Sequence, residues 1–323
     1  MRSITTKALL ALAGLSFGLA AVFAAPLGQN SPPTPPPDAA RPVLVWDVAP
    51  GALDGLPRNF RTTGDAVRTN SGPTPVLTGL ADLHASASAA FSEANLKAML
   101  ARLPGPVTVF DLRQEDHLYV NGQPVSWYAT NNWANVGRSH DAVIAGEAAR
   151  LQALAPGSAL QLADAGASKG AAVTAAQSLV VNRAATEREV VMAAGANYVR
   201  LTVTDHARPL DSEVDRFILS IRALPPGGWV HFHCRAGKGR TTTFIALYDM
   251  LRNARRASLD DIVSRQSLLM GDYNLLELGE QGGWKAGLAA DRAAFVRAFF
   301  DYARANPGGQ PQLWTEWLGA QKQ

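Results

Sequence analysis

Apolar and polar positions along this chain follow two periods in turn. Val107-Thr108-Val109-Phe110 and Trp229-Val230-His231-Phe232-His233 are short apolar and aromatic runs, as buried strands use, and Tyr198 to Val203 reads the same way. Other stretches carry apolar residues at helical spacing. Asp141 to Leu154 predicts a helix with Asp141 as N-cap, and Glu187 to Ala194 predicts a short one stopped by Gly195. Ser212 to Leu224 places Val214, Phe217, Ile218 and Ile221 on one face, and Thr241 to Asn253 predicts a further helix. The repeated strand–helix order predicts an α/β fold: a central, mostly parallel sheet with helices on both faces. Residues 155–185 are small, polar and β-leaning, and predict a small β-rich inserted subdomain. No internal repeat is visible.

The ends of the chain narrow the setting. Arg2 and Lys7 precede an apolar run from Ala8 to Ala21, and Val22-Phe23-Ala24 offers small residues for cleavage. The run is shorter than the ~20 residues a membrane span needs, so residues 1–24 read as a signal peptide and the protein as periplasmic or secreted. Residues 25–42 contain Ser31-Pro32-Pro33-Thr34-Pro35-Pro36-Pro37 and read as an extended, mobile spacer. Residues 43–323 are left for the folded domain. Loss of Arg2 and Lys7 takes two charges from the formal +3 and leaves +1. A chain so near neutrality lacks the basic face of a nucleic-acid binder. No basic amphipathic helix suggests membrane association.

The chemistry is concentrated around the single cysteine. His233-Cys234-Arg235-Ala236-Gly237-Lys238-Gly239-Arg240-Thr241 joins the last predicted strand to the last predicted helix. Such a loop brings its backbone N–H groups to a helix N-terminus, where a phosphate binds. Gly237 and Gly239 let it curl without Cβ clashes. Arg240 supplies a planar fork for two phosphate oxygens. A positive loop favours the thiolate, the nucleophilic form of cysteine, so Cys234 is expected to attack phosphorus and carry a phosphocysteine. Arg235, Ala236, Gly237, Lys238, Gly239 and Thr241 are expected to line the phosphate. Arg235 and Lys238 exceed what one phosphate requires; they serve further phosphates or are solvated loop charges.

A departing alkoxide needs a proton, and Asp205, 29 residues before Cys234, is the candidate general acid. It either acts so, on a loop 205–209 that closes over substrate, or caps that loop beside Arg208. His206 either touches a substrate phosphate or packs. Asp111, Asp205 and Cys234 all fall at predicted strand ends, where ligands bind in parallel sheets. His233 is expected to steady the loop, and His231, Trp127, Tyr128 and Trp133 to belong to the core. No His/Asp/Glu cluster at metal-ligand spacing accompanies these residues, so no metal and no cofactor is expected.

The stretch 233–242 resembles the signature of the cysteine-dependent phosphatase superfamily. Asp111-Leu112-Arg113-Gln114-Glu115, Asn121-Gly122, Val125-Ser126-Trp127-Tyr128, Asn132-Trp133-Ala134-Asn135, Thr204-Asp205-His206 and Trp284-Lys285 narrow the resemblance to the bacterial protein-tyrosine-phosphatase-like (PTP-like) phytases. It runs from about Arg58 to Leu318. It implies a phosphatase core with a small β-barrel-like insertion, stepwise dephosphorylation of inositol polyphosphates, and no metal. Cys234 then matches the nucleophile, Arg240 the phosphate clamp and Asp205 the acid. Asp111, His206, Arg61 and Lys285 match substrate-pocket positions. Arg235 and Lys238 stand where the family often has an acidic and an apolar residue, which makes the loop similar to that of a phosphoinositide 3-phosphatase. Glu277 and Glu280 precede Trp284 where the family is lysine-rich. A protein tyrosine, dual-specificity or phosphoinositide phosphatase is the alternative, and a non-catalytic phosphate-binding module the third reading. A small polyphosphorylated molecule is the expected partner, and the oligomeric state is not legible.

Overall fold

The computed structural model describes residues 27, 30–67, 69, 73–163, 176–280 and 282–322. The expected signal peptide, 1–24, and the middle of the expected insertion, 164–175, lie outside the described residues. The chain enters through strand β1 (Val43–Trp46), then β2 (Arg61–Thr62), β3 (Ala85–Ser88) and helix α1 (Glu93–Leu100). Next come β4 (Val107–Asp111), the hairpin β5 (His117–Val120) and β6 (Gln123–Tyr128), and helix α2 (His140–Gln152). Strands β7 (Ala159–Ala163), β8 (Ala176–Val180) and β9 (Ala184–Ala185) lead to α3 (Glu187–Ala193), β10 (Asn197–Arg200), α4 (Asp211–Arg222) and β11 (Trp229–His233). Helices α5 (Gly239–Asn253), α6 (Leu259–Leu269), α7 (Ala286–Ala305) and α8 (Trp314–Ala320) complete it.

The central sheet has the order β10-β4-β11-β3-β2. Its first four strands are parallel, and only β2 runs antiparallel. The register sets His233 opposite both Asp111 and Ser88, and Asp111 opposite Arg200. Four carboxyl ends therefore stop at one level, and Cys234, the next residue, leaves the sheet there.

Alternation divides the sheet's two faces. Phe110, Val230 and Phe232 point into a core shared with Val214, Phe217 and Ile218 of α4, Phe244 and Leu247 of α5, and Phe295 and Phe299 of α7. Val109 points the other way, into a core with Phe91, Leu96, Met99 and Val191. Each fully buried Phe contributes roughly 1.5–3 kcal/mol of transfer free energy, so the predicted layers are held by burial on both sides. The predicted N-cap of α2 shifts by two residues. Ser139, not Asp141, accepts from the amide of Ala142, while Asp141 lies in the first turn and favours the helix dipole.

The β-rich unit is larger than residues 155–185. A second sheet, β8-β7-β1-β6-β5-β9, draws β1 from the start of the domain and the β5–β6 hairpin from its middle. Trp46, Leu118, Val120, Val125, Leu162 and Val181 form its core. Distant segments meet there because each is too short to bury its apolar face alone. The Pro-rich segment also differs from a mobile spacer. Leu27 packs on the main core, Asn30 Nδ2 donates to the Pro209 carbonyl at 2.9 Å, and Asp38 accepts from Thr130. Proline lowers the entropy lost on fixing such a segment.

Candidate active site

The loop after β11 is a bowl whose carbonyls are tied outward. The Arg235 carbonyl accepts from the Ala90 amide at 3.2 Å, that of Ala236 from Asn59 Nδ2 at 2.8 Å, and that of Gly237 from Arg61 Nη1 at 3.1 Å. In a trans peptide the N–H points opposite its carbonyl, so the amides of residues 236–238 turn inward. Gly237 has φ +70°, and a Cβ there would overlap Ser88 and Ala89. Any side chain would push the loop off β3. Cys234 is buried at the floor, and Thr241 Oγ1 donates to its Sγ at 3.1 Å.

A ladder of alternating charges braces this bowl. Glu115 receives Arg240 Nη1 on Oε2 at 2.6 Å and Nη2 on Oε1 at 3.1 Å. The same Glu115 Oε1 accepts from Arg113 Nε at 2.9 Å, and Arg113 Nη2 stands 2.9 Å from Asp47 Oδ2. That last contact is one of charge, not of an aligned hydrogen bond. Asp47 Oδ1 then accepts from Arg235 Nε at 2.8 Å and from Ser126 Oγ at 2.7 Å. Burial disfavours a charged Arg240, but Asp205, Glu115 and Cys234 outweigh it and hold its pKa above the ordinary arginine value. Arg240 Nε is buried without a hydrogen-bond partner.

Asp205 follows β10 and meets this ladder. Its Oδ2 lies 3.1 Å from Arg240 Nη2 and accepts from Asn132 Nδ2 at 3.2 Å. Its carbonyl accepts from the Trp133 indole at 2.9 Å. His206 has φ +67°, a left-handed turn that costs a non-glycine residue roughly 1 kcal/mol or more. The turn lays its ring edge-on to Trp284 at 5.1 Å. Burial lowers the His206 pKa; nearby Lys285, Arg240 and Arg292 add to the effect, and Asp205 opposes it. These neighbours make the rim locally positive.

Beneath the bowl a second network supports the strand ends. Asp111 Oδ2 accepts from Arg200 Nη1 at 2.8 Å and Tyr198 Oη at 2.7 Å, and lies 3.0 Å from His117 Nε2. Glu187 pairs with His117 at 3.2 Å and with His233 at 2.6 Å. Burial and Arg113 oppose charge on His117, yet Asp111 and Glu147 outweigh them and push its pKa up to about 10. Burial alone would raise Glu187, but His233 outweighs it and holds the carboxyl at about 2. Asp111, Glu187 and His233 offer oxygen and nitrogen atoms within 4.8 Å of one another, and all three are buried. The positive charges of Arg200 and His117 already offset these carboxylates.

The expected residues thus separate into two groups. Cys234, Arg240, Asp205, Gly237 and Thr241 converge, with Ala236, Lys238 and Gly239 on the loop and His206 and Lys285 at its rim. Asp111 is a correction: its side chain is fully enclosed and committed to Arg200, so it supports the strand ends and does not line a pocket. Arg61 is buried as well, and braces the loop through Gly237 and Thr242. Arg235 lies over the Tyr128 ring and is matched by Asp47, so it is not a free cation. Lys238 and Lys285 are exposed. His233 pairs with Glu187 instead of the loop, and His231 is a core residue, as expected, between Ser86 and Ser88. Sequence reasoning gave no role to Asp47, Asn59, Glu115 or Asn132. Glu115 and Asn132 stood in blocks that carried the resemblance, and Asn59 in the Asn59-Phe60 pair ahead of Arg61, whereas nothing marked Asp47.

A buried thiol on such a loop, clamped by one arginine, defines a cysteine-phosphatase site. The model of the PTP-like phytase family, described as inositol hexakisphosphate, matches residues 110–252. A PTP-like phytase from Bdellovibrio bacteriovorus is 39% identical with a TM-score of 0.72, over 91% of this chain and 99% of that one. A PTP-like myo-inositol phosphatase from Mitsuokella multacida, in complex with myo-inositol-(1,3,4,5)-tetrakisphosphate, is 35% identical with a TM-score of 0.80, over 90% of this chain. The effector protein hopD2 of Pseudomonas syringae pv. tomato is 37% identical over 279 residues, 85% of this chain. This chain spans 59% of hopD2 and 49% of the Mitsuokella chain. It belongs to the PTP-like phytase family.

Proposed function

We propose that this chain removes phosphates from inositol polyphosphates through a phosphocysteine intermediate. The observation that carries this reading is the bowl itself: inward amides, the Arg240 guanidinium and a thiol on the floor. A phosphate monoester binds with its oxygens on these donors, and its phosphate takes Arg240 Nη2 from Asp205. The Cys234 thiolate attacks phosphorus in line. The S–P bond forms, the ester P–O bond breaks, and Asp205 gives its proton to the departing inositol oxygen. Asp205, now a carboxylate, takes a proton from the water that attacks the phosphocysteine. The S–P bond breaks, inorganic phosphate leaves, and Thr241 stabilises the returning thiolate through its hydroxyl. The positive rim of Lys238 and Lys285 suits a substrate bearing several phosphates, and the inositol phosphate bound by the Mitsuokella relative supports that class.

The apolar N-terminal run supports an exported protein, with a periplasmic or secreted location. The test of the chemistry is acid quenching during turnover of labelled inositol hexakisphosphate. One acid-stable phosphoryl group per wild-type chain is expected, and none on Cys234→Ser. Turnover by Cys234→Ser above a tenth of wild type would contradict the mechanism.

A further inference from the structure

The Pro-rich segment before β1 joins the two loops that hold Asp205. One loop is 204–209 itself, and Asn30 Nδ2 donates to its Pro209 carbonyl at 2.9 Å. The other is 130–133, which supplies Asn132 Nδ2 and the Trp133 indole to Asp205. Asp38 Oδ2 accepts from that loop twice, from the Thr130 amide at 2.9 Å and the Thr130 hydroxyl at 3.1 Å. Between the anchors stand Pro32, Pro33, Pro35, Pro36 and Pro37. Such a sequence is a semi-rigid spacer, close to 3.1 Å per residue when extended. At its far end a turn closes through Ala39 N to the Pro36 carbonyl and Arg41 N to the Asp38 carbonyl, each at 3.0 Å. Asp38, Asp205 and Arg235 all act electrostatically on Tyr128, so this end lies beside the catalytic cleft.

We infer that residues 30–38 are a strut that positions the general acid, with Asp38 and Asn30 as its positioning residues. The inference rests on the reading of Asp205 as proton donor. Asp205 is partly exposed and hangs on an irregular loop, so its aim depends on neighbours that do not move apart. A stiff segment pinned to both loops fixes their separation. A flexible one of the same length would let Asn132 and Trp133 drift from Asp205 while the bowl, braced by Arg61 and Glu115, stays intact.

The strut and the bowl are separable by leaving group. An alkyl phosphate such as an inositol phosphate needs the acid, whereas p-nitrophenyl phosphate leaves with little help. Asp38→Ala is expected to lower kcat on inositol hexakisphosphate about three- to tenfold, equivalent to about 0.65–1.4 kcal/mol in the barrier. Turnover of p-nitrophenyl phosphate should stay near wild type, and Asp38→Asn, which keeps an acceptor, should restore most of the loss. Replacing the five prolines with serine preserves length and anchors, and should give the same selective loss without unfolding. Equal losses on both substrates, or none on either, would overturn the strut. Asp205→Asn run alongside separates the two ideas. If its losses are also equal on both substrates, the acid assignment has failed; if they are selective and those of the strut variants are not, only the strut has.

Discussion

Glu115 grips Arg240 through both carboxylate oxygens, at 2.6 and 3.1 Å, in a region closed to solvent. The clamp that would hold a substrate phosphate is thus itself held, from the loop between β4 and β5, 125 residues earlier in the chain. Glu115→Gln keeps the shape, removes the charge and turns one acceptor into a donor facing Arg240. Loss of a charge-assisted bond of roughly 1.5–3 kcal/mol predicts a fall in kcat/KM of about 10- to 100-fold. Arg113 and Arg240 would also be left short of a countercharge, so unfolding should be easier by about 3–5 kcal/mol. Steady-state kinetics with denaturant titration checks both. Activity within a few-fold of wild type would show that Arg240 is placed by the loop alone.

Asp205→Asn preserves the bond to Arg240 geometrically but removes the transferable proton. Turnover of inositol hexakisphosphate should fall by roughly two or more powers of ten, the usual contribution of a general acid. The fall on an aryl phosphate should be much smaller. Parallel losses would mean that Asp205 only shapes the loop.

The loop cations should not behave alike. Arg235 is matched by Asp47, whereas Lys238 is exposed and makes no ion pair among the described residues. Lys238→Gln should therefore raise KM for inositol hexakisphosphate about three- to fivefold at low salt, the scale of one exposed charge interaction of about 1 kcal/mol or less. The effect should fade as added salt shortens the screening length. KM for a monophosphate should hardly move. An unchanged KM for the polyphosphate would remove Lys238 from substrate binding.

His117 links the lower network to pH. Its pKa stands at about 10 against an ordinary 6.5. It therefore stabilises the fold fully below pH 6.5, and that contribution is lost as pH rises through 10. Glu187 has the opposite sense: held at about 2, it stabilises above 4.5 and loses its contribution as pH falls through 2. The thermal midpoint should decline between pH 7 and 10, and His117→Gln should flatten that decline while lowering stability near neutrality. An equal slope in the variant would assign the decline to other groups.

The nucleophilic loop was legible because all its chemistry lies in ten consecutive residues between two strongly patterned elements. The braces were not, because Asp47 and Asn59 reach it from irregular segments with no periodic signal. β3 escaped for a different reason. Ala85-Ser86-Ala87-Ser88 lacks the branched and aromatic residues of a strand, yet it pairs with β11 in the middle of the sheet. At its end the backbone of Ser88 and Ala89 comes so close to Gly237 that position 237 has no room for a Cβ. Asp111 does end β4, but sequence alone does not distinguish a carboxylate facing a pocket from one buried beneath it. The Pro-rich segment was read by composition, which sets its stiffness but not its anchors.

If the bowl and its positive rim serve inositol polyphosphates, substrate preference and its salt dependence will show it. The most direct test is kcat/KM for inositol hexakisphosphate and for a phosphotyrosine peptide, measured side by side at low ionic strength and again with added salt. A clear preference for inositol hexakisphosphate that shrinks as salt is raised is expected. A preference for the phosphotyrosine peptide, or the same salt dependence for both, would contradict it and make this chain a protein phosphatase on the same scaffold.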